Sequence, residues 1–470
     1  MPPQLAALLT YGFILWLFHR DIRENRANPT TTGALWLPIL WLFIVMTRNV
    51  SQWLAFFGLP GFHSGTEEGG SFLDAGLYLT MIVAGLIVLN HRGVTLQSFV
   101  SDNKWLVLFF VYCSLAILWS DFPFVAFKRW IKIIGHPVMV LIVLTEPSPR
   151  EALRRLIKRC SYIILPISIL WIKYLPHLGR KAGEWATQSQ NVGIAGNKNL
   201  LGNACLFFGL FFIWFFLQTW RAQFSPERKR ELRLLALLLF MTGWCLHSAQ
   251  SATSWLALIA GATIIIGLGF KWVNKARLNF YAVAILLTIV VAEGVFDAGR
   301  RINEWRGKQD TIEGRGRLWQ VLLDMDTNPV IGVGFESFWL GERHRRILAM
   351  PDFQAFRPNS AHNGYLELYL NLGVLGLVMY AAVVLDIFRK SKTEMYSDFL
   401  MARFRLGTLF SILLYNWTEA AMRGLSTMYF LFFLIAVRYG KDGTSGGDTT
   451  TDEGEATFAE TEANRRYLTT

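Results

Sequence analysis

Long apolar stretches, separated by short polar segments, recur along almost the whole chain. Runs of roughly 16 to 25 hydrophobic residues have the length that crosses about 30 Å of hydrocarbon as an α-helix. Most of the runs lack a polar face, which argues against a large soluble helical protein. The pattern predicts an all-α integral membrane protein with about 12 or 13 transmembrane helices, depending on whether 406–438 crosses once or twice. The predicted spans are 3–18, 33–47, 71–90, 105–119, 131–145, 160–175, 199–219, 232–248, 255–270, 278–296, 363–388, 406–418 and 425–438.

One long hydrophilic segment, residues 297–362, interrupts this pattern. Leu318, Val321, Leu322 and Met325 recur within it at helical spacing, which predicts short amphipathic helices. A loop of about 65 residues is usually either functional or disordered. The Gly-, Thr- and Glu-rich tail is expected to be disordered. The predicted divisions are N-terminal and central helices at 1–296, the long loop at 297–362, C-terminal helices at 363–438 and a cytoplasmic tail at 439–470.

Composition and charge support this class and orient the chain. Hydrophobic residues make up 53% and charged residues 17%, against about 25% charged in soluble domains. The 46 Lys and Arg exceed the 34 Asp and Glu, but they lie in short loops, so lipid headgroups rather than nucleic acid are the expected partner. The positive-inside rule puts these loops in the cytoplasm and the loop 297–362 outside, although that loop is itself rich in Arg. The basic loops are 19–26, 150–159, 221–233, 271–277 and 389–405.

Several isolated polar residues lie in or beside apolar runs. Asp74, Glu293 and Glu367 are costly there, which predicts a polar cavity. Glu419 and Arg423 are four residues apart and are expected to pair at a membrane boundary. The four cysteines have no metal or disulfide spacing, and the chain contains no H-E-x-x-H motif or carboxylate cluster. A site without metal or cofactor is therefore predicted.

Three outward-facing segments carry the candidate chemistry. They are Gly196–Gly202 with Lys198, the short turn 248–254 with Gln250, and the long loop with Arg315, Arg317, Gly332-x-Gly334 and a terminal His362-Asn363. Arg grips phosphate through paired, charge-assisted hydrogen bonds. Histidine, with an ordinary pKa of about 6.5, can take a proton from a hydroxyl near neutral pH. These groups suit a lipid-diphosphate sugar donor and a hydroxyl acceptor.

Structural alternatives remain open for each of these residues. A histidine at the mouth of a helix can be a hydrogen-bond partner only, and Arg315 can pair with Glu313 or bind headgroups. Lys198 can anchor the end of its helix. Gly332 and Gly334 are interpreted as a tight turn after Pro329 rather than a phosphate loop, because a single G-x-G is weak evidence.

His362-Asn363, separated by nine residues from Gly373-x-x-Gly376, resembles the signature of the O-antigen ligase and polysaccharide polymerase superfamily. The likeness extends over roughly residues 100–435 and is strongest from 311 to 376. The segments Thr47–Asn49 and Ser51–Leu54 look like the branch that makes exopolysaccharide. Further similar motifs are Trp119-Ser120-Asp121, Lys198-Asn199-x-x-Gly202, and Gly314-Arg315-x-x-x-Trp319 ahead of Pro329 and Gly332-x-Gly334.

The resemblance implies a polyprenyl-phosphate-sugar-type glycosyltransferase of the bacterial inner membrane. Such an enzyme moves a glycan from undecaprenyl diphosphate to an acceptor hydroxyl at the periplasmic face, without metal or nucleotide sugar. His362 would be the general base or position the acceptor, and Arg315 would stabilise the departing diphosphate. Lys198, Gln250, Arg317 and Asn363 complete the predicted substrate-binding set. The implied partners are the lipid-linked oligosaccharide, an acceptor glycan or lipid, bilayer lipids and other polysaccharide-assembly proteins.

Two departures from the family pattern bear on the activity. Ligase-type members usually carry Arg where this chain has Gln250, and many members have an acidic residue where it has Leu372. The first departure, with the exopolysaccharide-like N-terminal segment, favours a polymerase of lipid-linked repeats over a ligase to a lipid or protein. A flippase of lipid-linked sugar is the alternative from another class, although the two halves show no evident inverted repeat. A non-catalytic scaffold would be indifferent to substitution of His362.

Overall fold

The computed structural model describes residues 1–59, 70–182, 189–284, 310–354 and 357–439, with the backbone alone at 182 and 310–314. Over these residues the chain is almost entirely helical, which confirms the predicted all-α class. The departure from it is a small antiparallel hairpin of β1 (Arg180–Ala182) and β2 (Ser189–Asn191), with Arg180 opposite Asn191. Glu293 and the tail from 440 lie outside the described residues, as do 285–309 of the predicted divisions.

The helices are α1 (Pro3–Ala27), α2 (Trp36–Met46), α3 (Val50–Phe56), α4 (Phe72–His91), α5 (Leu96–Asp102), α6 (Lys104–Leu115), α7 (Pro123–Leu144), α8 (Pro149–Tyr174), α9 (Pro176–Gly179), α10 (Lys198–Arg221), α11 (Pro226–Ala249), α12 (Ala252–Gly267), α13 (Asp310–Leu323), α14 (Gly341–Ala349), α15 (Gly364–Glu394), α16 (Phe399–Thr418) and α17 (Thr427–Ala436). Short 3-10 turns cover Gly33–Leu35, Lys275–Arg277 and Pro351–Phe353.

Five of these helices, α1, α4, α10, α11 and α15, are long and apolar enough to cross a membrane. The pair 33–46 and α3, bent by 59°, gives a sixth candidate if it forms one span. The helices α6, α12 and α17 are apolar but shorter, and α7 is long but carries Lys128, Arg129 and Lys132. The described part of the chain therefore has five or six candidate spans, and the larger predicted count remains a prediction. Residues 406–438 form two helices, α16 and α17, rather than one.

Helix α10 lies at the centre of the core. Phe207, Phe208, Phe211 and Phe212 are completely buried along it. The Phe211 ring lies 4.6 Å from that of Phe404 on α16, centroid to centroid. Helices α11 and α12 also pack on α10. Because α10 contacts so many neighbours, its N-terminus at Lys198 is held in a fixed position relative to the ends of α11 and α16.

Helix α15 is interrupted at Gly373, where the backbone has φ 66° and ψ −169°. The segment 329–334 of the long loop fills the break. A Cβ on Gly373 would lie 2.2 Å from the Val330 carbonyl carbon, and one on Gly332 would lie 2.3 Å from that of Asn371. Only glycine allows this approach. Four backbone bonds cross the break: Val333 N to Leu370 O (3.1 Å), Gly334 N to Asn371 O (3.0 Å), Val374 N to Pro329 O (2.9 Å) and Leu375 N to Val330 O (3.1 Å).

The described part of the long loop has a small hydrophobic core of its own. Leu318 and Leu322 of α13 are buried in it while Arg317 is exposed, which confirms the predicted amphipathic helix. The predicted turn at Gly332 and Gly334 is also confirmed, with φ of 68° and 101°. The core consists of Leu318, Leu322, Val333, Phe338, Trp339, Ile347, Phe353, Ala361 and Leu370.

The motif Trp119-Ser120-Asp121 ties this loop to the rest of the molecule. Trp119 Nε1 donates to the Ile331 carbonyl at 3.2 Å, and Ser120 bonds the Ser337 hydroxyl. Asp121 pairs with Arg343 of α14 at 3.1 Å. Since all three side chains contact the loop, the motif acts here as an anchor for it.

Candidate active site

His362 lies at the junction between the long loop and α15, and its backbone is held from both sides. The Asn363 side-chain oxygen accepts from the N–H groups of Tyr365 and Leu366 at 3.0 and 3.1 Å, which caps α15. On the other side, Ala361 N–H donates to Glu367 at 2.9 Å. His362 itself has φ 48°, a left-handed conformation in which His is enriched but that still costs about 1–3 kcal/mol.

One carboxylate, that of Glu419, joins residues from three elements. Its Oε2 lies 3.3 Å from Nδ1 of His362, and its Oε1 lies 3.5 Å from Nη2 of Arg315. The Asn199 amide at the start of α10 also reaches Oε1, at 3.5 Å. Arg315 is fixed further by the Thr418 carbonyl at 3.2 Å. The structure thus brings His362 and Arg315 together, although they are far apart in sequence.

The short turn 248–254 lies against the same place. Thr253 Oγ1 is 2.9 Å from Thr418 Oγ1, beside Glu419. A Cβ on Gly202 would lie 2.5 Å from that of Ser251, so α10 and this turn are in direct contact. Gln250 is the C-cap of α11 with φ 51°, and its side chain is exposed. The three segments predicted from the sequence to carry the candidate chemistry therefore meet at the end of α16.

The remaining predicted residues are placed differently. Lys198 is the first residue of α10 and is half-buried, next to the Asn199 that contacts Glu419. Asn363 serves as the helix cap described above. Arg317 is exposed and pairs with Asp352 at 3.2 Å. Side chains two positions apart on a helix point to different faces, so Arg317 does not join the group around Glu419.

A cavity of about 410 Å³ opens beside Glu419, and Arg423 lines it as well. The Arg423 Nε lies 3.5 Å from Glu367, and its Nη1 donates to the Asn359 carbonyl. The rest of the lining consists of Asn203, Asn359, Ser360, Tyr415, Ala420, Gly424 and Leu425. The cavity therefore has a cationic and an anionic side chain in a largely polar wall.

The expected pairing of Glu419 with Arg423 is wrong. Helix α16 ends at Thr418, so a four-residue spacing beyond it no longer puts two side chains on one helical face. Glu419 pairs instead with His362 and Arg315, and Arg423 pairs with Glu367. Sequence reasoning missed both as site residues, although they are the ionisable residues between the apolar runs 406–418 and 425–438.

Two other acidic residues have structural partners. Glu367 is buried, with 5% of its surface exposed, and accepts from Trp339 Nε1 at 3.0 Å besides its bond to Ala361. Asp74 is equally buried and accepts from the Ser51 N–H at 2.9 Å, at the start of α3. Glu367 therefore borders the site and holds Arg423, whereas Asp74 fixes a helix terminus.

The arrangement around Glu419 has the parts of a proton-transfer and anion-binding site. With a proton on Nδ1 donated to a carboxylate, the Nε2 of an imidazole is the basic nitrogen. A guanidinium offers paired N–H groups to phosphate. In a partly dry cleft these charges act more strongly than in water. Among the described residues, no group of three or more His, Cys, Asp or Glu side chains is arranged to hold a metal ion.

Comparison with known proteins agrees with the resemblance read from the motifs. Residues 234–381 match the family model described as O-antigen ligase. The exopolysaccharide production protein ExoQ of Rhizobium meliloti (strain 1021) is 25% identical over 316 residues, which is 64% of this chain and 68% of that protein. The family match contains Gln250, Arg315 and His362, and it ends before Glu419.

Proposed function

We propose that the chain, whose residues 234–381 match the family model described as O-antigen ligase, is a membrane glycosyltransferase of bacterial polysaccharide assembly. The donor is a glycan on undecaprenyl diphosphate, and the acceptor is a hydroxyl at the periplasmic face. The observation that carries this proposal is the contact of His362 and Arg315 with the same carboxylate, Glu419. A base for the hydroxyl and a cation for the diphosphate are thereby within reach of one substrate.

In the proposed reaction, His362 takes the acceptor's proton at Nε2 while the hydroxyl oxygen bonds to the anomeric carbon of the donor sugar. The bond from that carbon to the diphosphate breaks, and undecaprenyl diphosphate leaves with the bonding electrons. Glu419 orients the imidazole and stabilises its protonated form. A positioned base typically contributes about 10²–10⁴-fold. Diphosphate is a good leaving group, so positioning and charge stabilisation account for the rest.

Arg315 and Arg423 are the cations proposed to receive the diphosphate. The Arg315 side chain is 30% exposed and its contact with Glu419 is long, so it can turn to a bound phosphate. Arg423 already lines the cavity, and its pairing with buried Glu367 fixes its orientation. Glu419 offsets part of this positive charge.

The acceptor distinguishes two versions of this function. ExoQ, an exopolysaccharide production protein, favours a polymerase, in which the acceptor is a second lipid-linked repeat. The family description favours a ligase, with a separate lipid or protein acceptor. Proteoliposomes supplied with the lipid-linked repeat alone separate them: chain growth means polymerase, and product only after addition of another acceptor means ligase. Translocation of the repeat without a new glycosidic bond would instead mean a carrier.

A matched pair on α13 tests the role of Arg315 in the same proteoliposomes. Arg315→Ala should abolish glycan transfer, because the leaving diphosphate loses its stabilising cation. That cation contacts Glu419, the carboxylate that also contacts the base His362. Arg317→Ala removes the same charge two residues along the helix, where the side chain is exposed, and should leave product yield near normal. Normal product length and yield from Arg315→Ala, at wild-type levels of membrane protein, would remove Arg315 from the mechanism.

A further inference from the structure

A second cleft, of about 700 Å³, opens between α1 and α11, where α1 ends and α11 begins. Both helices pack on α8 and leave the space between them open. Four arginines line the cleft: Arg20 and Arg23 from α1, and Arg230 and Arg233 from α11. Glu24 is the carboxylate in the lining. The cleft is therefore strongly cationic.

Among the described residues, most of this positive charge is not paired with a carboxylate. Arg20 pairs with Glu24 at 2.7 Å, but Arg23, Arg230 and Arg233 form no ion pair with a carboxylate in the described part of the chain.

The neighbouring carboxylates are occupied by cations of α8. Asp21 binds Arg155 at 3.2 Å and Arg159 at 2.6 Å, and Glu231 binds Lys158. Arg23, Arg230 and Arg233 of the cleft are therefore available to an anion from outside.

The cleft changes from apolar to cationic along its length. Trp16 and Leu237 line it with 55% and 41% of their surfaces exposed. On each helix the apolar residue is seven positions from an arginine, Arg23 and Arg230 respectively, which is about 10 Å at 1.5 Å per residue. Arg20 approaches Glu231 across the cleft at 3.9 Å, so the two helices are aligned with their cationic ends together.

We propose that this cleft binds an anionic phospholipid, with its phosphodiester among the arginines and an acyl chain along Trp16 and Leu237. Guanidinium groups bind phosphate oxygens in pairs, and Trp suits the level of the headgroups. A free phosphate would make no use of the apolar end. Along α11, Arg233 and Ala249 are separated by about 24 Å, so this lipid is distinct from a donor at His362, and the proposal does not depend on the glycosyltransferase function.

The test is a titration of the purified full-length chain in mixed micelles with radiolabelled phosphatidylglycerol. The variant Arg23→Gln/Arg233→Gln should bind about 30-fold more weakly, which is about 2 kcal/mol at 1.4 kcal/mol per factor of ten. The matched control Arg26→Gln/Lys229→Gln lowers the charge equally on the same helices but outside the cleft, and should change affinity less than about threefold. Thermal unfolding of both variants should match wild type, because neither removes an ion pair that holds helices together.

Three results would overturn this assignment. Equal loss in the control variant would mean general attraction to a basic surface. Competition by soluble glycerol phosphate as strong as by the lipid would mean an anion site without a lipid. Stronger binding of a polyprenyl phosphate than of phosphatidylglycerol would assign the cleft to the carrier lipid.

Discussion

Among single residues, Glu419 links the two groups on which the proposed chemistry depends. Its two carboxylate oxygens contact His362, the candidate base, and Arg315, the candidate residue for binding phosphate. All three side chains are partly buried. The place of Glu419 could not be predicted from sequence, because it follows from where α16 ends and from the loop that brings His362 to that point. His362 and Arg315 themselves could be predicted as site residues from the sequence, since an imidazole and a guanidinium in a predicted outer loop suggest proton transfer and anion binding.

The substitution Glu419→Gln should lower the rate of glycan transfer about 10- to 100-fold, a part of the 10²–10⁴-fold that a positioned base contributes. The amide keeps the size of the side chain but carries no negative charge to stabilise the protonated imidazole. Glu419→Asp, which keeps the carboxylate, should recover part of the rate. The measurement is kcat and KM in proteoliposomes. A purely structural role would give equal losses in both variants, together with lower thermal stability.

Among the elements, the broken helix α15 decides the geometry of the site. The insertion of 329–334 at Gly373 holds the long loop against the helix that His362 precedes. Sequence reasoning predicted one span at 363–388, because isolated glycines within an apolar run are commonly tolerated in a helix. The break is set by a distant segment that supplies four backbone hydrogen bonds, and no local pattern contains that information.

The change Gly373→Ala should destabilise the protein by at least about 1–3 kcal/mol, because alanine is strained at φ 66° and its Cβ meets the Val330 carbonyl. The expected results are a lower temperature of thermal unfolding and faster proteolysis in 310–354. Gly243→Ala in α11 is the control, since its Cβ has open space. It should be neutral or stabilise by up to about 1 kcal/mol. Equal stability of the two variants would mean that the insertion at Gly373 does not hold the loop.

For the whole molecule, the length of the apolar runs was sufficient to predict an all-helical membrane protein but not its number of spans. Several apolar runs form helices that are short, such as α6 and α12, or that carry charges, such as α7. Their crossing depends on packing with neighbours, which the length of a run does not describe. The sidedness of the chain rests on the distribution of basic loops.

Sidedness can be measured with single exposed cysteines. Arg345→Cys on α14 should react with a membrane-impermeant maleimide in intact spheroplasts, because the site is proposed to face the periplasm. Gln223→Cys, between α10 and α11, should react only after permeabilisation. The four native cysteines are buried and give a low background. The reverse pattern would place His362 on the cytosolic side and contradict a periplasmic donor site.

The role of His362 as the base is measured most directly by the initial rate of glycan transfer by His362→Asn in proteoliposomes, alongside His362→Ala. Asparagine accepts the left-handed backbone at this position, so the fold is kept while the base is lost. The rate should be lower by about 10²–10⁴-fold in both variants, with donor binding and membrane levels unchanged. Wild-type rate and product length in either variant would contradict that role.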